Sequence, residues 1–68
     1  MRSWLAYFVG GPLEGQLMGV YSTEVKHMVT SMNSSIVRTY VYRKGSQRRG
    51  NAWVYCVDRI VEEEKYQE

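Results

Sequence analysis

The 68-residue sequence predicts an all-β fold, a small curled antiparallel sheet or barrel of about five strands. Two observations carry that expectation. Aromatic and β-branched residues gather in short runs, the composition of a pleated half-buried surface. Clusters of glycine, proline, asparagine and serine separate those runs at turn-like spacing. The competing architecture is α+β, with a helix over 23–32.

The first strand is Ser3 to Val9, SWLAYFV. It is aromatic and apolar throughout, which suits a strand buried on both faces. Gly10-Gly11-Pro12 stops it, since glycine permits positive φ while proline fixes φ and removes a donor. Gln16 to Tyr21 is the return strand after Gly15. Residues 23–32 are ambiguous. Val25, Met28, Val29 and Met32 recur at i, i+3, i+4 and i+7, which by itself favours a helix slightly. As a strand the segment sets Val25, His27 and Val29 on one face and Lys26, Met28 and Thr30 on the other. Asn33-Ser34-Ser35 is a turn in either case.

Ile36 to Lys44 and Asn51 to Val61 form the clearest hairpin. With Lys44 opposite Asn51, Tyr42 faces Trp53 and Tyr40 faces Tyr55 on one side. Val41 then faces Val54, and Thr39 faces Cys56, on the other. The second side is aliphatic and suits a core. The first is a ladder of four rings that needs cover from a core, an interface or a ligand. Domain organisation is one β-rich unit over 1–61 followed by an acidic tail, 62–68.

Between the two strands lies RKGSQRRGN, residues 43–51, with four positive charges and two glycines. The chain has a net charge of +2, but residues 1–61 hold eight Lys and Arg against three acids. Such a balance favours anionic partners. Guanidinium groups bind phosphate or carboxylate through paired hydrogen bonds, and rings beside them stack on bases. The candidate ligand-binding residues are therefore Arg43, Lys44, Arg48, Arg49, Tyr40, Tyr42, Trp53 and Tyr55.

No reaction is indicated. His27 and Cys56 are the only imidazole and thiol, and no spacing joins them. Cys56 is expected on the aliphatic face as an inert buried thiol. Asp58 is expected to pair with nearby arginines, Arg38, Arg43 or Arg59. The Gly10–Gly15 loop lacks the Lys-Ser/Thr of a phosphate-binding P-loop. Two soft ligands fall short of a structural zinc site, and one cysteine cannot staple the chain. No cofactor and no metal are expected. A chain this short has a marginal core, so a homo-oligomer is expected. The single cysteine suits a reducing compartment, and the apolar run Trp4–Val9 is too short to span a bilayer. The expected setting is cytoplasmic, without a membrane partner.

The stretch from Tyr7 to Gln16, YFVGGPLEGQ, together with YVYR at 40–43 and Val54-Tyr55, resembles a class of very small, largely uncharacterised proteins of tailed bacteriophages and prophages. Those proteins share an aromatic strand, a GGPLDG-like turn and a tyrosine-rich hairpin; here Glu14 stands where Asp is commoner. The resemblance implies mostly β structure, which tilts residues 25–32 toward a strand, and the cytoplasm of a host cell. It implies an accessory, non-enzymatic inhibitor or sequestering protein that counters host defence by binding an anionic ligand such as a nucleotide immune signal. The alternatives are a single-stranded nucleic-acid-binding protein and a protein–protein inhibitor of a host enzyme.

Overall fold

The computed structural model describes residues 2–30 and 35–64. Five strands, β1 (Trp4–Val9), β2 (Leu17–Val20), β3 (Glu24–Thr30), β4 (Ile36–Arg49) and β5 (Ala52–Glu64), build one sheet in the order β2-β1-β5-β4-β3. The all-β expectation holds, and the helix over 23–32 does not, because 24–30 is strand β3. The turn expected at 33–35 lies mostly outside the described residues. The sheet is not closed into a barrel. Nor is it purely antiparallel, since β1 runs parallel to β5, Leu5 beside Ala52 through Val9 beside Cys56.

Chain length forces the sheet to curl. Strands β2 and β3 are its opposite edges, yet only residues 21–23 join them. Four Cα steps from Val20 to Glu24 span at most about 14 Å. The edges of a flat five-stranded sheet lie about 19 Å apart. The edges must therefore bend toward each other. The Tyr55 hydroxyl fastens this crossing by donating to the Ser22 carbonyl at 2.6 Å.

The concave side of the bend holds the core: Ala6 and Phe8 of β1, Leu13 of the 3-10 turn Gly11–Leu13, Tyr42 of β4 and Tyr55 of β5. The Phe8 ring meets Tyr42 edge-on at 4.9 Å and Tyr55 at 5.6 Å. Strand β1 is thus buried on one face only, not on both. Ala6 and Phe8 point inward, while Leu5 and Val9 remain exposed on the outer face. Gly11 makes the close approach of the turn possible. It has φ +66°, and a Cβ there would lie 2.5 Å from the Tyr42 hydroxyl.

The β4–β5 hairpin differs in register from the expectation. Gly50 (φ +61°) and Asn51 alone make the turn, and Arg49 pairs with Ala52. Much of the basic stretch is therefore strand rather than loop. Gly45, Ser46 and Gln47 bulge opposite Val54, so Lys44 pairs with Tyr55 and Tyr42 with Val57. A second bulge at Asp58 leaves Val41 opposite Arg59, Tyr40 opposite Ile60 and Thr39 opposite Val61. The slip at Tyr42 is four residues, an even number, so the rings keep their side.

Beyond Val57 the partnership with β1 ends. Residues 26–30, 36–41 and 59–64 continue as a three-stranded blade, giving a molecule 45 × 25 × 17 Å. The boundary drawn at residue 62 from composition falls inside β5, which runs to Glu64. Residues 65–68 of the expected tail lie outside the described residues.

Candidate anion-binding site at the hairpin tip

The four rings of the expected ladder do share the inner face, but they divide into two jobs. Tyr42 and Tyr55 are fully buried. The Tyr42 hydroxyl donates to the Gly10 carbonyl at 2.7 Å and accepts from the Leu13 amide at 3.0 Å. The Tyr55 hydroxyl accepts from Trp4 Nε1 at 2.9 Å besides its bond to Ser22. Both rings hold the fold and offer no surface to a ligand, a correction to their expected role. Tyr40 and Trp53 are half-buried against the core margin.

Trp53 organises the tip. Lys44 Nζ lies 3.7 Å above its ring centroid, and the Arg48 guanidinium carbon lies 4.8 Å from the same centroid. On the outer face the Arg49 guanidinium sits 4.6 Å over Tyr7. Each such contact contributes about 0.5–1 kcal/mol at an exposed site and restrains a long side chain. Among the described residues no carboxylate pairs with Lys44, Arg48 or Arg49. Three cations therefore stand near the end of the hairpin, oriented by rings and not neutralised. Sequence reasoning missed Tyr7, because its place beside Arg49 depends on the parallel pairing of β1 with β5, which no local pattern announces.

Arg43 belongs elsewhere. It pairs with Glu24 at 3.3 Å and Asp58 at 3.4 Å, and Arg59 contacts the same two acids at 3.6 and 3.2 Å. This square of charges ties β3, β4 and β5 together where the curled half meets the blade. It satisfies Arg43 internally, so the expected ligand set loses that residue. Asp58 pairs with Arg43 and Arg59 as expected. Arg38 instead meets Glu62 at 2.5 Å. Its guanidinium is raised above the ordinary value, first by a hydrogen bond to Tyr40 and then by Glu62.

Cys56 is exposed on the outer face, not buried. Its strand neighbour is Arg43, whereas His27 lies opposite Tyr40 on the inner face. The register therefore separates the thiol from the imidazole. Glu14 accepts a hydrogen bond from the Gly10 amide, which occupies one donor of the glycine-rich loop. Among the described residues no group of His, Cys, Asp and Glu is placed to hold a metal ion. No described helix is long and apolar enough to cross a membrane. No family model matches the chain, and neither a curated protein nor a solved structure matches it.

Proposed function

We propose that this chain is a non-enzymatic sequestering protein that captures a phosphate-bearing anion at the tip of the β4–β5 hairpin. The observation that carries the reading is the set of unpaired cations held on rings, Lys44 and Arg48 on Trp53 and Arg49 on Tyr7. A restrained guanidinium loses less freedom on meeting an anion, and its planar fork matches phosphate oxygens. Capture requires only charge-assisted hydrogen bonds, so the ligand leaves unchanged. The resemblance to small phage proteins supports a nucleotide signal of host defence as the captured anion and the host cytoplasm as the setting.

Burial of Tyr42 and Tyr55 weighs against the nucleic-acid alternative. That reading needs a row of open rings on which successive bases stack, and of the four ladder rings only Trp53 and Tyr40 retain partial exposure. Trp53 already carries two cations.

Titration with inorganic pyrophosphate and with a nucleoside monophosphate, followed by calorimetry, tests the reading. Loss of one charge-assisted hydrogen bond of about 1.5–3 kcal/mol corresponds to a roughly 10–100-fold weaker affinity for Arg48→Ala. Lys44→Ala is expected to act in the same direction, and Arg38→Ala to leave binding unchanged. Denaturation of the complex should return the nucleotide intact. Equal affinity in wild type and Arg48→Ala, or conversion of the nucleotide to product, refutes the proposal.

A further inference from the structure

The tip leaves the other end of the molecule without a role. On the outer face of the blade, strand register places three rows across β3, β4 and β5. They are Lys26–Val41–Arg59, Met28–Thr39–Val61 and Thr30–Val37–Glu63. Except for Thr30 and Val37, these residues line a shallow concavity of about 400 Å³. Its middle row is apolar and open, with Met28 65% and Val61 37% exposed. One end is cationic, with Lys26 and with Arg59, half exposed beside its partners Glu24 and Asp58, and the other carries Glu63. Among the described residues neither Lys26 nor Glu63 has an ion-pair partner.

We propose that this face binds a second copy of the chain, sheet against sheet, about a two-fold axis along the Met28–Thr39–Val61 row. The charge pattern selects both occupant and axis. Rotation about that row stacks each strand on its own counterpart and reverses its direction. Met28 then meets Met28, Val61 meets Val61, and the Arg59 of each copy stands over the Glu63 of the other. A two-fold axis along the strands would instead set Lys26 over Arg59, like on like. Two-fold association requires a self-complementary patch, and the first arrangement supplies one. Edge pairing through β3 is the rival geometry. Lys26 at its centre is the kind of charge that discourages strand addition.

The experiment uses the whole chain. Sedimentation over a micromolar concentration series should show a monomer–dimer equilibrium in wild type. Met28→Lys places two ammonium groups together at the axis and should raise the dissociation constant more than about tenfold. The side chain is exposed, so an unchanged circular dichroism spectrum is expected with it. Val29→Lys, on the inner face of the same strand, should leave dimerisation unaltered. In a Cys56→Ser background, Val61→Cys should oxidise to a disulfide-linked dimer. β5 is two strands in from the β3 edge, so edge pairing would hold the two introduced thiols about 24 Å apart, five strand spacings, and give no cross-link. A monomer at every concentration, or a dimer that Met28→Lys spares, overturns the proposal. Pyrophosphate affinity per chain should be equal in wild type and Met28→Lys, so this proposal and the tip's function fail independently.

Discussion

The curled half and the blade are built from the same two long strands, yet only one of them has an inside. In residues 42–57, β4 and β5 bend beneath β1 and the 3-10 turn, and Phe8, Tyr42 and Tyr55 lose all contact with water. In the blade β3, β4 and β5 carry Met28, Val29, Ile36, Ile60 and Val61 at 37–65% exposure, divided between two open faces. Sheet pairing alone thus does not make a core. Strand β1 does, by adding a parallel neighbour to β5 and closing the concave side. The blade keeps its hydrogen-bond ladder and, apart from the buried Val41 where it meets the curled half, leaves its large apolar side chains partly exposed.

That contrast makes stability strongly position-dependent. Phe8→Ala should cost about 3–5 kcal/mol, the usual loss for a buried ring, and so come close to unfolding so small a domain. Ile60→Ala, half exposed on the blade, should cost less than about 1 kcal/mol by the same area argument. Urea denaturation of the two variants checks the pair. Equal losses would mean that the blade has an interior of its own.

Smaller effects sharpen the boundary. Gly11→Ala forces a side chain into positive φ, at about 1–3 kcal/mol of strain, and drives its Cβ toward Tyr42. It should lower the urea midpoint, whereas Gly45→Ala, with φ outside the left-handed region, should lower it less. Tyr42→Phe and Tyr55→Phe keep each ring and remove a hydroxyl that serves two partners. Each should cost about 1–3 kcal/mol through the partners left unsatisfied, visible as a lower thermal midpoint. The least effect belongs to the junction. Arg43→Gln should cost at most about 1 kcal/mol and progressively less as salt is added, because its ion pairs are half exposed.

The hairpin was legible in the sequence because its information is local. Turn glycines and alternation place two strands on either side of 43–51, and an even register slip leaves every ring on its expected side. The parallel β1–β5 pair was not legible, since its partners lie 47 positions apart and nothing in either strand names the other. Two consequences followed from that gap. Tyr42 and Tyr55 could not be told from Tyr40 and Trp53, because the four rings alternate identically and only β1 decides which are covered. Tyr7 could not be joined to Arg49. The helical spacing of Val25, Met28 and Val29 has a physical source as well. β3 is an edge strand with apolar side chains on both faces, which breaks the two-residue alternation that marks a half-buried strand.

Residue-resolved amide hydrogen exchange on Met28→Lys, which is designed to stay monomeric, probes the division between the two halves without a mutation in the core. Backbone amides paired within 4–9, 42–44 and 52–57 should exchange only through global unfolding. Those paired within 26–30, 36–40 and 60–64 should open at lower free energy, in a second and faster class. One uniform protection level along the whole of β4 and β5 would contradict a fold anchored at one end and bare at the other.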